Sequence, residues 1–176
     1  MNYLELLKLA SPEAVMVITA LVVLALQALR PDTPTAKHCA AAAGILLAGF
    51  AIVMLPGQGD IANGMLAVTP LASLVKLIVL GLAFFTVLLA RGATFTRYFG
   101  EYLALILLAT IGLMTMSGTE QLLVIFIGLE LTGLSLYILA GFDKTDERSA
   151  EASLKYFLFG GVASAFTLFG LSLIYG

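Results

Sequence analysis

Apolar runs long enough to cross a bilayer recur six times along this chain, and each is closed off by Pro, Gly or a charged residue. A helix needs about 20 apolar residues to span about 30 Å of hydrocarbon. Once inside lipid, a helix is one of the two backbone forms that satisfy their own polar groups. The first run opens at Ser11-Pro12-Glu13, an N-cap candidate followed by a Pro at the first helical position and an acid in the first turn. It continues through VMVITALVVLALQAL and stops at Arg30-Pro31. The second run extends from about 36 to 55 and ends at Pro56-Gly57. Thr69-Pro70 opens a third that reaches Ala90, and the fourth covers Phe99 to Met116, before Ser117-Gly118. Thr119-Glu120 is the expected cap of a fifth that reaches Gly141, and a sixth starts near Arg148 and continues to the last residue. The sequence thus predicts an all-α, polytopic membrane protein of about six transmembrane helices.

Composition agrees. A soluble domain is about one-quarter charged, whereas only 11% of these residues carry charge, 61% are hydrophobic and the mean hydropathy is +1.06. No basic stripe with aromatic interleaving is present, which argues against nucleic-acid binding. One cysteine, Cys39, permits neither an internal disulfide nor a CxxC site, and His38 beside it has no further ligand pattern for a metal. Met1–Ala10 lacks the basic start and apolar centre of a signal peptide; its Leu4, Leu7 and Lys8 suit a short interfacial helix or a frayed end.

Six basic residues, Arg30, Lys37, Arg91, Arg97, Lys144 and Arg148, fall in the connections after the first, third and fifth runs, against Lys8 alone on the other side. The positive-inside rule then sets both ends of the chain outside. The connections are short, so neighbouring helices should pair antiparallel. Small residues such as Gly44 with Ala48, and Gly160-Gly161 with Ser164 and Ala165, suit close helix approach in lipid.

Three ionisable residues lie within the runs: Lys76, Glu130 and Lys155. A charge at the bilayer centre costs at least ~2.5–3.5 kcal/mol, which makes each a candidate for function. Glu130 stands ten residues after Glu120 and eleven before Gly141, near the midplane, and its side chain is too short to snorkel. Gly133 and Tyr137 share its helical face. Such a carboxyl, poised between burial and a nearby cation, can take up and release a proton; the alternative is a protonated Glu that glues two helices. Lys155 lies about 10 Å beyond Arg148, within reach of Glu130 across a helical hairpin at ~6 Å axial offset. It also has Glu151 at i−4 as a partner and can snorkel. Lys76, about 9 Å inside the boundary set by Pro70, is adequately explained by snorkelling, with a hydrated path as the alternative. Tyr137 and Glu151 complete the possible proton path. Nothing resembles a phosphate loop, a haem-ligand pair or a nucleophile with its base.

The stretch GLELTGLSLYILAGFDKTDERSAEASLKYFLFGGVASAFTLFGLSLIYG resembles the antiporter-like membrane subunits of respiratory complex I and of the Mrp cation/proton antiporters. The SPEAVMVITALVVLAL opening, the KLIVLGLAF stretch and the ALILLATIGLMTMSG helix are most similar to the subunit N branch of bacterial NADH–quinone oxidoreductase, counterpart of mitochondrial subunit 2. The resemblance implies a fold of about fourteen helices built on inverted repeats with broken helices. Of it, this chain would hold the N-terminal part: three helices over 1–98, then the first three helices of a truncated first repeat over 99–176. It identifies Glu130 with the family's essential Glu, and Lys155 with the Lys of its Glu-Ala-x-x-Lys-Tyr motif. It implies a proton-translocating subunit of a quinone-reducing electron-transport enzyme, a translocase, in a bacterial cytoplasmic membrane. Such a chain would carry no redox centre itself, with NADH, FMN, iron–sulfur clusters and quinone on partner subunits. A Mrp-type sodium/proton antiporter, a membrane-bound hydrogenase subunit and a non-pumping scaffold are the alternatives. Because the chain stops within the first repeat, the expectation is a fragment, or a split subunit completed by another polypeptide.

Overall fold

A computed structural model describes residues 8–54, 59–61, 66–91 and 98–175. It contains six helices long and apolar enough to cross a membrane: α1 (Ser11–Leu29), α2 (Pro34–Met54), α3 (Pro70–Leu89), α4 (Phe99–Ser117), α5 (Leu122–Ala140) and α6 (Glu147–Tyr175). All six expected runs are helices, with ends displaced by no more than a few residues. Leu4 and Leu7 of the expected interfacial helix, the Leu55–Gly57 stop and Arg97 lie outside the described residues.

The caps differ in detail from the sequence expectation. Ser11 is the first helical residue rather than a cap, and Ala10 before it makes no side-chain cap bond. Thr69 does cap α3: its extended backbone lets Oγ1 accept the Ala72 N–H at 3.1 Å. Gln121, not Thr119 or Glu120, occupies the cap position of α5.

Two short strands, β1 (Gly59–Ile61) and β2 (Leu66–Val68), pair antiparallel between α2 and α3, where the sequence suggested only a connection. The register sets Gly59 opposite Val68 and Ile61 opposite Leu66. Ala67 N–H donates to Gly118 O at 2.9 Å, so the hairpin is tied to the end of α4. Backbone groups near the membrane boundary need partners, and this pairing supplies them.

Helix α4 is the axis of the bundle. Most of its apolar stretch (61%) is buried, against none of α6, and it packs on α1, α2, α3 and α5. The core combines Met16 and Val23 of α1, Ile45 of α2, Leu80 and Val87 of α3, and Leu103, Leu107 and Met114 of α4. Small residues set the spacing: a Cβ on Gly44 would enter Thr19 of α1, and Gly112 and Gly128 bring α4 and α5 into backbone contact.

We call the side where α1, α3 and α5 begin the near face. At the far face, Gln27 ties three helices together. Its Oε1 accepts from Lys37 Nζ at 2.7 Å and from Gly100 N–H at 2.9 Å, and Lys37 donates also to Pro31 O at 2.7 Å. Lys37 is thus fully buried, not a solvated loop cation as its position between two runs suggested. Beside it, His38 Nε2 meets Val87 O at 3.0 Å and joins α2 to the end of α3. Replacing Gln27 with Leu strips an acceptor from two buried donors, one of them charged. The expected cost is about 1–3 kcal/mol, read as a lower unfolding temperature of the detergent-extracted protein.

Candidate functional site

Glu130 is the ninth of nineteen residues in α5, at mid-helix as the sequence indicates. Its Oε1 accepts a short hydrogen bond from the Ser164 hydroxyl of α6. That bond is one rung of a seam along the α5–α6 hairpin. Ser149 Oγ donates to Ala140 O at 2.9 Å and Ser153 Oγ to Tyr137 O at 2.7 Å. The Tyr137 hydroxyl fills the space over Gly160, where no other side chain fits. Positions 149, 153, 160 and 164 follow helical spacing, so one stripe of α6 carries every rung. Tyr137 is held further by edge contacts with the rings of Tyr156 and Phe157, at 4.7 and 6.0 Å.

The structure does not bring Glu130 and Lys155 together. Lys155 Nζ lies 2.5 Å from Glu151 Oε1, in an exposed i,i+4 pair. Two reasons combine. Ser164, the residue level with Glu130, is nine residues or about 13 Å along α6 from Lys155 rather than the expected ~6 Å. Lys155 is also two residues beyond Ser153, about 200° around a helix of 3.6 residues per turn, so it points away from α5. Spacing along the sequence sets neither this angle nor the level at which the two helices meet. The turn before α6 is built locally. Asp143 accepts both the Thr145 hydroxyl (2.7 Å) and its N–H (3.0 Å), and Asp146 accepts Arg148 N–H at 2.9 Å. The Thr145 hydroxyl and N–H hold the Asp143 carboxyl below its ordinary range.

Lys76 does not snorkel. Its side chain is only 4% exposed, and Nζ lies 2.6 Å from Glu13 Oε1 in the first turn of α1. Both Glu13 carboxylate oxygens are buried, and neither accepts a hydrogen bond of good angle, so the contact is coulombic. Beyond the ammonium lies Gly118, where any Cβ would collide with Lys76 Nζ and Cε. The only signal for this pair in the sequence is an acid in a first turn and a Lys in an apolar run 63 positions later. Among the described residues, no group of three or more His, Cys, Asp or Glu side chains is placed to hold a metal ion.

Residues 119–176, which include α5, α6 and the Glu130 seam, match the family described as NADH:quinone oxidoreductase/Mrp antiporter, TM. Along nearly its whole length (99%) the chain is 35% identical to NADH-quinone oxidoreductase subunit N 2 of Acidobacterium capsulatum. The chain belongs to this family of antiporter-like membrane subunits.

Among other family members, subunit N 1 of Roseiflexus castenholzii is 43% identical over 69% of the chain. Two solved assemblies contain a chain of the same fold. Respiratory complex I of Thermus thermophilus matches 94% of this chain with a TM-score of 0.78 at 30% identity. An archaeal membrane-bound sulfane sulfur reductase matches 96% with a TM-score of 0.80 at 26% identity. The chain spans 38% of the length of the Acidobacterium relative, and 36% and 37% of the two structural neighbours. Like these antiporter-like subunits, it is a multi-pass membrane protein built of helices.

The seam yields a prediction about its two adjacent glycines. A side chain on Gly160 must displace the Tyr137 ring, whereas nothing lies within 4 Å of a Cβ on Gly161. Gly160→Val is expected to separate α6 from α5 at a cost of about 1–3 kcal/mol, while Gly161→Val leaves the hairpin intact. Disulfide trapping between cysteines placed on the two helices reads the difference.

Proposed function

We propose that this chain is part of a proton-translocating membrane-arm subunit of an NADH–quinone oxidoreductase, with Glu130 as its proton-carrying group. The observation that carries the reading is a single carboxyl at the middle of a membrane-spanning helix, bonded to a hydroxyl of the next helix, within the segment that matches the family. The Ser164 hydroxyl can donate to the carboxylate and accept from the acid, so one partner serves both forms. Lys155 and Glu151 on the outer side of α6 supply an exposed charge pair. They would respond to, and act on, whatever packs there. Tyr137 keeps the seam closed beneath Glu130.

In this reading the redox chemistry, with NADH, FMN, iron–sulfur clusters and quinone, belongs to partner subunits. The remainder of the antiporter-like fold comes from further polypeptide. The membrane is the bacterial cytoplasmic membrane, with the near face outside because the far face has the basic excess. The test is proton translocation by the native complex in sealed vesicles, with Glu130→Gln against wild type at matched quinone reduction. Unchanged protons per electron would dismiss the proposal. The likeness to the sulfane sulfur reductase subunit favours a second reading, an ion-translocating module of a complex with another electron acceptor. Co-purification with NADH-oxidising subunits separates the two.

A further inference from the structure

We infer that Glu13 and Lys76 form a second proton-loading site, at the near face of the bundle and separate from Glu130. The inference rests on the proton-translocation reading but concerns other residues. Two opposite charges stand 2.6 Å apart between membrane-spanning helices, with side chains 15% and 4% exposed. Replacing a buried ion pair by apolar groups is often neutral or stabilising, so structure alone is a weak reason for such a pair. Inside a membrane an ionisable group marks an ion or proton site by default.

The surroundings give each partner a second stable condition. Glu13 lies in the first turn of α1, where the helix dipole favours its charge. The Lys76 ammonium lies against Gly118, just past the last turn of α4, whose dipole favours a cation. Both Glu13 oxygens are buried beside Lys76, and Glu13 stands in the first turn of α1, at the near face. A proton arriving from the near face forms an O–H bond on the Glu13 carboxylate, and the ion pair opens. Lys76 keeps all three N–H bonds and its charge rests on the carbonyl end of α4. Loss of that proton restores the carboxylate, and the pair closes again. No electron moves.

The lack of a side chain at Gly118 is what leaves room for the ammonium there. Gly118 O is also the acceptor for Ala67 N–H of the hairpin, so the site adjoins the turn that leads into α5. The other ionisable groups on the elements around the pair are set apart from it. Lys8 precedes α1 and Glu120 precedes α5, both exposed at the near face. Lys37, His38 and Glu101 belong to the first turns of α2 and α4, at the far face, and Glu130 is at mid-membrane on α5.

The test uses the native complex in sealed vesicles, with quinone reduction under uncoupled conditions as the measure of assembly. The double variant Glu13→Leu/Lys76→Met removes both charges and keeps an apolar contact. It is expected to assemble and reduce quinone normally while protons per electron fall to below about one-tenth, the scale of loss for removing a positioned proton carrier. Wild-type proton stoichiometry in that variant would overturn the inference and leave the pair as packing. If the double variant fails to assemble, Glu13→Gln, which copies the loaded form, decides. Assembled complex with lost translocation supports the site; normal translocation or failure to assemble removes it. Glu130→Gln is measured in parallel. Normal pumping there, with loss in the Glu13 and Lys76 variants, would remove the Glu130 proposal and leave this one standing.

Discussion

Glu130→Gln is expected to reduce proton translocation to background while the complex assembles and reduces quinone. Gln matches Glu in size and can still accept from the Ser164 hydroxyl, so the α5–α6 seam survives. What it loses is the ability to bind and release a proton. A positioned acid–base group contributes about 10²–10⁴-fold to a proton-transfer step, so the residual rate should be on the order of one-hundredth. Glu130→Asp provides the contrast: it keeps the chemistry but withdraws the carboxyl from Ser164, and partial activity is expected. Vesicle acidification followed with a pH-sensitive dye, beside quinone reduction with an uncoupler present, measures both. Full acidification by the Gln variant would eliminate Glu130 as the carrier.

Gly112→Leu is expected to have the largest structural effect of any single change. A Cβ at this position would meet the Thr132 hydroxyl and, at 2.6 Å, the Gly128 carbonyl oxygen on α5. The second of these is backbone and cannot rotate away. Overpacking of a well-filled contact costs about 1–3 kcal/mol, and here the helices themselves must separate. The Thr132 hydroxyl, which bonds Gly128 O at 2.9 Å and reaches Ala109 O at 3.3 Å, loses its place as well. The amount of chain recovered in the assembled complex should therefore drop sharply. Gly81→Leu serves as the control, since nothing lies within 4 Å of a Cβ there. Equal recovery of the two variants would show that α4 and α5 are not locked by this contact.

The six spans were legible in the sequence because length and hydropathy decide them, and Pro31, Pro70 and Gly118 mark the breaks. The mid-helix position of Glu130 was legible for the same reason. Partnership was not legible. Glu13 and Lys76 are 63 positions apart, and only the packing of α1 and α3 around α4 sets them side by side. Lys37 looked like a loop cation because its neighbours Pro31 to Thr35 are polar or helix-breaking; a Gln ten residues earlier draws it inside. Lys155 erred the other way. Its expected distance along the axis was too short, since Ser164, nine residues or about 13 Å beyond Lys155, is the residue level with Glu130. The side of α6 that meets α5 is chosen by Ser149, Ser153, Gly160 and Ser164, small residues whose joint stripe gives a clearer guide than the charge. The β1–β2 hairpin was missed because three-residue strands carry almost no periodic signal.

The way α6 is attached has a mechanical consequence. Its contacts with the bundle run mainly through α5, and the bonds along that seam come from single hydroxyl groups on the α6 side. Apolar packing tolerates a small slide, whereas hydrogen bonds weaken steeply once their angle is lost. A slip of one residue along the axis, about 1.5 Å, would carry Ser164 out of register with Glu130 without unseating the helix. The hairpin therefore ties the axial position of α6 to the hydrogen-bond partner of the carboxyl at mid-helix: sliding α6 removes the Ser164 hydroxyl from Glu130.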